Sequence, residues 1–166
     1  MHDAREVANF LLDYADQRSL RLTNMALLKH IYFAHGWHLA SRNEPLVQNR
    51  IEAWEHGPVI RAVYDEFKQF GGEPITCRAN IIDWGTGEIL LARGNFCSET
   101  ISLLRSTFDY YASYGAFELS SITHEPGGPW HRVWCRPDGR VKMNMEISNA
   151  SIYEHFIASS RDASIQ

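Results

Sequence analysis

The sequence predicts a mainly α-helical fold: a single-domain helical bundle around a buried central helix, with a small β-hairpin element. Three observations support this prediction. Apolar residues recur at spacings of three and four in several long segments, as on the buried face of a helix. Residues 24–42 are apolar almost all round, which indicates a core helix. Only residues 75–81 show strand-like alternation, and a turn-forming cluster at residues 83–87 and a second apolar run at residues 89–91 follow them.

Length and composition are those of one compact domain. The chain has 166 residues, of which 45% are hydrophobic and 22% are charged. We expect one domain over residues 1–158 and a frayed tail over residues 159–166. No apolar run approaches the ~20 residues that span a bilayer, and the charged N-terminal segment lacks signal-peptide features. The net charge of −4 argues against a nucleic-acid partner, because it leaves no strongly basic surface.

The first two helices are the clearest elements. Residues 3–18 have an amphipathic pattern with Asp3 as the N-cap, and Thr23 caps the central helix. On the central helix the apolar positions leave only a narrow strip near Lys29 and Gly36 for water. We therefore expect nearly the whole helix to be buried, with these two positions on its solvent-exposed edge.

A connector and a third helix follow, and then the hairpin. Residues 45–57 return apolar side chains to the core, and Pro58 suits the first position of a helix because its missing N–H needs no partner there. That helix is expected to stop at Gly71-Gly72. The predicted hairpin at residues 75–91 comes next.

The rest of the chain predicts three more helices. Ser98 caps the first, the second lies around residues 117–122, and Ser148 caps the last. A loop at residues 124–129 follows the second helix, and an extended stretch at residues 140–147 precedes the last.

Histidines on the central helix are candidate metal ligands. His35 and His38 lie close together on the helical wheel, near enough to share a metal ion. They also lie within the leucine-rich arc, and no carboxylate on that helix completes a site. We interpret them, like His30, as core histidines hydrogen-bonded to backbone or neighbouring side chains, and we expect neither a metal nor a cofactor.

Two His–Glu pairs and three cysteines are the candidates for catalysis. Glu55-His56 and His124-Glu125 lie on predicted loops and could meet as acid and base, giving a hydrolase. Cys97 or Cys135 beside one of these histidines would imitate a Cys–His hydrolase. The sequence has no nucleophile elbow, metalloprotease motif or phosphate loop, so structural roles are favoured and no enzyme is predicted. With Cys77 the cysteines fit no zinc or disulfide pattern and are expected to be free thiols in a reducing cytoplasm. Cys97 and Cys135 are expected to be buried and inert.

Two tryptophan motifs occur in order along the chain. A Tyr-Phe-Ala-x-Gly-Trp run lies on the central helix, and an Ala-Trp-x-x-Gly-Pro-Val turn precedes a Tyr and a Phe on the next helix. Thr-His-Glu and Pro-Trp segments follow downstream. This pattern, over about residues 5–157, resembles the Panacea domain family, which includes SocA-like antitoxins and phage-associated proteins. The motif residues expected in the core are Tyr32, Phe33, Gly36, Trp37, Trp54, Tyr64 and Phe67.

The resemblance implies a cytoplasmic protein-binding domain without a cofactor. It would neutralise a cognate protein toxin, either directly or as an adaptor that delivers the toxin to an ATP-dependent protease. Two alternatives stay open: a prophage-encoded anti-defence or regulatory binding protein without a toxin partner, and a hydrolase that uses the loop histidines.

The candidate contacts with a partner lie on loops, because packing accounts for the helical motifs. The strip at residues 130–142 interleaves aromatic and basic side chains. Such a strip suits nucleic-acid stacking, a half-buried packing element or a protein-docking patch, and the packing interpretation is favoured. We hypothesise that at least part of the following set contacts the partner: His56, Gly57, Pro58, His124, Glu125, Trp130, Arg132 and Arg136.

Overall fold

A computed structural model describes residues 1–135 and 145–163. Within these residues the chain forms seven α-helices and two separate antiparallel hairpins, which confirms the mainly α fold class. The elements in chain order are α1 (Ala4–Gln17), α2 (Asn24–Arg42), β1 (Glu52–Trp54), β2 (Gly57–Val59), α3 (Arg61–Phe67), β3 (Asn80–Ile82), β4 (Ile89–Leu91), α4 (Ser98–Tyr111), α5 (Ala116–Thr123), α6 (Pro129–Trp134) and α7 (Asn149–Ala163).

Three of the four predicted N-caps are present: Asp3, Thr23 and Ser148, whose Oγ accepts a hydrogen bond from the Ser151 amide at 3.2 Å. The fourth prediction was wrong, because Ser98 is the first residue of α4 and Cys97 holds the N-cap position without a side-chain hydrogen bond. The Asp3 carboxylate accepts a hydrogen bond from the Arg5 amide at 2.9 Å, and Glu6 accepts from the Asp3 amide at 3.1 Å, which completes a capping box on α1. Thr23 Oγ1 accepts from the Ala26 amide at 3.3 Å at the start of α2. These bonds satisfy amide groups that a helix start otherwise leaves unpaired.

Helix α2 is the centre of the fold. It contacts α1, α3, α4, α5, α7 and β2. The expectation of a solvent-exposed edge was wrong: Lys29 is 0% exposed, and Gly36 is also buried. A Cβ atom at Gly36 would overlap the ring of Phe156 on α7. Both positions are covered because neighbouring elements pack against the sides of α2 that its own sequence leaves less apolar, whereas Trp37 and Ala40 are only partly buried.

Aromatic side chains fill the space between α2 and α4. Phe33 stacks on Tyr111 with ring centroids 4.0 Å apart. Trp37 is only partly buried; it meets Phe156 edge-on at 5.1 Å, and its indole N–H donates to the Tyr111 hydroxyl at 3.3 Å. Among the other family-motif positions, Tyr32 and Phe67 are buried, whereas Trp54 and Tyr64 pack against the core from its margin.

The β1–β2 hairpin was not predicted. Pro58 lies in β2, paired with Ala53, instead of opening a helix, and α3 begins at Arg61. The turn before Pro58 uses Gly57 with a positive φ of 101°, a conformation that favours glycine. Ala53 also donates its amide to Met145 O at 2.7 Å, so the chain that leads into α7 lies along β1.

The β3–β4 hairpin matches the predicted one, and a single buried asparagine anchors it. Asn9 on α1 donates to Ala79 O at 2.9 Å and Ala92 O at 2.8 Å, and accepts from the Ala79 amide at 2.7 Å. The hairpin is therefore held at its base by α1.

The C-terminal part of the described chain holds one helix that was not predicted. The Trp130–Trp134 segment forms the short helix α6, with Pro129 at its first position. Helix α7 runs from Asn149 to Ala163. Arg136, and the predicted extended stretch up to residue 144, lie outside the described residues. No helix in the described part of the chain is long and apolar enough to span a bilayer.

Candidate partner-binding site

Four elements meet at the turn of the β1–β2 hairpin. We call this place the hairpin junction and define it by Lys29 on α2, His56 and Gly57 in the turn, His124 at the end of α5, and Trp130 on α6. Two of the loops that the sequence singled out separately, around His56 and His124, thus come together here.

Gly57 lets the turn approach α2 and α5 closely. A Cβ atom at this position would lie 2.5 Å from Thr123 Oγ1 and 2.8 Å from Lys29 Cε. Ser120 Oγ donates to His56 O at 2.9 Å and fixes the turn to α5. Only glycine fits without displacing these neighbours.

Lys29 is the functional candidate that sequence reasoning missed. Its Nζ donates to Pro58 O at 3.0 Å, which ties α2 to β2. Because burial disfavours the charged form, desolvation lowers the pKa of Lys29 to about 7. The sequence did contain a signal, namely a lysine within a helix whose other faces are apolar. The helical wheel nevertheless placed Lys29 on the strip that was expected to be exposed to solvent.

Rings stack beside Lys29. The His124 and Trp130 rings lie 3.7 Å apart, and the Trp130 indole N–H donates to Trp54 O at 2.8 Å. Burial lowers the pKa of His124, and the nearby charges of Lys29 and His56 lower it further. His124 Nε2 is buried without a hydrogen-bond partner among the described residues. The imidazole is therefore held neutral near pH 7, as a stacked side chain.

The predicted contact set divides by exposure. The exposed members are His56, Glu125 and Arg132, and His124 is half-buried. The buried members are Gly57, Pro58 and Trp130, which a partner would not touch directly. Arg132 Nε donates to Gly127 O at 2.6 Å and so braces the loop before α6.

Two histidines of α2, His35 and His38, are hydrogen-bonded as predicted, whereas His30 stacks on Phe108 with ring centroids 4.6 Å apart and its Nδ1 is buried without a hydrogen-bond partner among the described residues. The Val47 amide donates to His35 Nδ1 at 3.3 Å, so Nε2 carries the proton and donates to Asn149 Oδ1 at 2.9 Å. His38 Nδ1 lies 2.7 Å from Glu44 O, to which it donates. Burial lowers the pKa of His35 to about 4. Within residues 1–135 and 145–163 no group of three or more His, Cys, Asp or Glu side chains has the arrangement of a metal site.

The prediction that Cys97 and Cys135 are buried was wrong: both are exposed, and so is Cys77. In the second predicted His–Glu pair, Glu125 faces His155 of α7, with Oε2 and Nε2 3.7 Å apart.

A second surface has no counterpart in the predicted set. The outer end of the β3–β4 hairpin, residues 82–91, exposes large apolar side chains; we call it the exposed hairpin. Trp84 is 92% exposed, Ile89 72% and Ile82 49%. Exposed apolar clusters of this kind are typical of interaction surfaces.

Comparison with known proteins agrees with the motif pattern. Residues 27–131, which include most of the central helix, both hairpins and the hairpin junction, match the family described as antitoxin SocA-like, Panacea domain. The chain belongs to this family. It is 34% identical over 157 residues to Antitoxin SocA of Caulobacter vibrioides (strain NA1000 / CB15N), an alignment that covers 93% of this chain and 82% of the relative. No solved structure matches the chain.

Proposed function

We propose that this protein is an antitoxin that binds and neutralises a cognate protein toxin. The observation that supports the proposal is the 34% identity to Antitoxin SocA across 93% of the chain. The relative's name applies to that protein, and the near-complete coverage of both chains is the reason to extend the role to this one.

The exposed hairpin is the proposed toxin contact. Trp84 is 92% exposed and Ile89 is 72% exposed, and tryptophan is one of the residue types enriched at interface hot spots. A toxin that covered them would remove apolar surface from water at about 25 cal/mol per Å². The exposed residues His56, Glu125 and Arg132 are the second proposed contact.

The test pairs growth with binding. The protein is co-expressed with the products of the neighbouring open reading frames, and any toxic product is then used in pull-downs. Trp84→Ser with Ile89→Ser is expected to weaken binding by at least ~10-fold, or ~1.4 kcal/mol, with an unchanged melting temperature. Phe117→Ser is the matched control, because Phe117 is 76% exposed and lies outside the hairpin, on α5.

The possible outcomes distinguish the exposed hairpin from the predicted strip as the contact surface, and an antitoxin from a binding protein without a toxin partner. Parental binding by the hairpin variant would exclude the exposed hairpin, and a loss on Arg132→Glu with Arg136→Glu would instead support the predicted strip. Failure to restore growth against any neighbouring product would contradict the antitoxin role and favour the binding protein without a toxin partner.

The mode of neutralisation has its own readout. Direct occlusion leaves the toxin's lifetime unchanged in the cell, whereas delivery to an ATP-dependent protease shortens it. Pulse-chase of the toxin, with and without this protein, distinguishes the two modes.

A further inference from the structure

A cavity of about 230 Å³ lies between α2, the end of α4, the end of α5 and α7. It is larger than the ~150 Å³ of an engineered protein cavity that holds one benzene, so a planar group on a short stem fits into it. We call it the aromatic pocket. None of the described residues that line it belongs to the hairpin junction. The lining residues that matter below are Trp37, Tyr110, Tyr111, Glu125, His155 and Phe156.

The walls of the aromatic pocket are rich in aromatic rings. Trp37 meets Phe156 edge-on with 5.1 Å between the ring centroids, and Tyr110 meets Tyr111 in the same way at 4.8 Å. Tyr110 is 69% exposed and Trp37 is only partly buried, so a ligand can reach both rings from solvent. The faces of aromatic rings attract cations, and tryptophan does so most strongly. These walls therefore favour a cationic ligand.

Glu125 adds a carboxylate to the aromatic pocket. Its side chain is 63% exposed, and its Oε2 lies 3.7 Å from His155 Nε2, beyond hydrogen-bond distance. Burial raises the pKa of Tyr32, which also lines the pocket, and the nearby Tyr111 and Glu125 raise it further. No lysine or arginine is found among the described lining residues, and an imidazole is a cation only when it is protonated. The carboxylate thus meets solvent and the pocket without a permanent counter-charge in the lining.

The carboxylates that directly precede lining residues in the chain are paired with arginines. Glu154 Oε2 lies 3.8 Å from Arg132 Nη1. Asp109 Oδ1 lies 3.3 Å from Arg18 Nη2. Because each pair has no net charge, the charge that a ligand meets in the pocket is that of Glu125.

We propose that the aromatic pocket binds an arginine side chain on the surface of a protein partner. The guanidinium packs against the rings of Trp37 and Tyr110 and donates two parallel hydrogen bonds to the Glu125 carboxylate. A guanidinium suits both contacts, because it is planar, stacks on aromatic rings, donates bidentately to a carboxylate and is more weakly hydrated than an ammonium group.

The arginine is expected to belong to a protein chain, because a free amino acid fits the charges less well. Free arginine carries an α-carboxylate, for which the described lining offers no lysine or arginine and which Glu125 repels. The exposed rings and side chains of the pocket, Tyr110 and Ile122, offer apolar surface to the residues that flank a protein-borne arginine. The proposal does not depend on the antitoxin role, because it defines one contact of whichever protein binds this face.

The first test is an NMR titration of the full chain at pH 8, where imidazole groups are mostly neutral. N-acetyl-L-argininamide is expected to bind and to shift the indole N–H signal of Trp37, which donates to the Tyr111 hydroxyl. N-acetyl-L-citrullinamide has nearly the same shape without the charge and is expected to bind at least ~10-fold more weakly. Absence of arginine binding at ~20 mM, equal binding of the citrulline probe, or shifts confined to residues outside the pocket would overturn the proposal.

Two further probes test the identity of the ligand. N-acetyl-L-lysinamide replaces the guanidinium by an ammonium, and free L-arginine restores the α-carboxylate. Each is expected to bind at least ~3-fold more weakly than N-acetyl-L-argininamide. Equal or tighter binding of the lysine probe would contradict the guanidinium, and equal or tighter binding of free arginine would contradict a protein-borne residue.

Variants at exposed positions assign the contacts with little effect on folding. Glu125→Gln is expected to lower affinity for N-acetyl-L-argininamide at least ~10-fold, whereas the control Glu154→Gln removes the same charge from an exposed side chain outside the pocket and is expected to change affinity less than ~3-fold. Tyr110→Leu is expected to weaken binding at least ~3-fold, and its control Phe117→Leu, on α5, is expected to leave it unchanged. Parental binding by Glu125→Gln, or equal losses in Glu125→Gln and Glu154→Gln, would contradict the carboxylate contact.

Discussion

Protonation of Lys29 predicts an unusual dependence of stability on pH. Burial lowers the pKa of Lys29 from 10.5 in the unfolded chain to about 7 in the folded one. Between these values the unfolded chain carries a proton that the folded chain lacks. Raising the pH therefore stabilises the folded state across this window, since stability rises wherever the unfolded state binds more protons.

The size of the effect follows from the two pKa values. One proton difference corresponds to ~1.4 kcal/mol per pH unit, so the free energy of unfolding is expected to rise by about 2.5 kcal/mol from pH 7.5 to pH 9.5. Other buried groups leave this window clear. The pKa of His30 and of His35 is lowered to about 4, so both are neutral in either state above pH 7.5. Burial raises the pKa of Tyr32, and that group opposes the trend only above about pH 9.5.

Urea unfolding at four or five pH values measures the slope. Lys29→Met is expected to flatten it, at a cost of about 1 kcal/mol for the lost hydrogen bond to Pro58 O. Lys68→Met is the control; Lys68 is exposed and paired with Asp65, and the slope is expected to persist. A flat profile in the parent protein, or an equal slope in Lys29→Met, would refute the assignment of the buried charge.

Three further predictions concern packing and metals. Trp37→Ala is expected to destabilise by about 3 kcal/mol in urea, near the lower end for a large aromatic because Trp37 is only partly buried; a loss below ~1 kcal/mol would show that this side of α2 is not core. Gly36→Ala is expected to cost ~1–3 kcal/mol because its Cβ meets Phe156, whereas at Gly72 a Cβ meets nothing within 4 Å and alanine is expected to be nearly neutral. Equal stabilities for the two glycine variants would contradict that packing. Elemental analysis of the purified protein is expected to find no stoichiometric zinc; a full equivalent that survives dialysis would contradict this prediction.

Local signals predicted the helices well. Asp3 and Thr23 cap helices through contacts within three residues, so their roles depend on neighbouring sequence alone. The same holds for the alternation that predicted β3 and β4. Elements specified by short-range chemistry are the ones that sequence reasoning recovers.

The errors arose where distant elements decide the outcome. Pro58 suits a helix start, but Gly57 turns the chain back so that Pro58 pairs with Ala53. The neighbours of Lys29 in the sequence predict a solvent-exposed position, and Lys29 is buried only because β2 and α5 pack against it. Periodicity along one helix carries no information about how many neighbours will surround it.

The candidate site shows the same limit. His56 and His124 were noticed as separate loop residues, and their meeting depends on how α5 packs against the β1–β2 hairpin. The exposure of Trp84 was not predicted, because a position in a turn indicates the turn without showing whether another part of the chain packs over the hairpin.

The packing of five helices and a strand against α2 has a consequence for hydrogen exchange. The amides in the buried middle of α2 are expected to exchange only when the whole domain unfolds, whereas those of the exposed hairpin are expected to exchange through local opening. A protease nick within residues 83–88 should therefore leave the body intact. The protein thus has a slow-exchanging centre and a hairpin tip that tolerates cleavage and insertion, so that the tip's sequence can change at little expense to global stability.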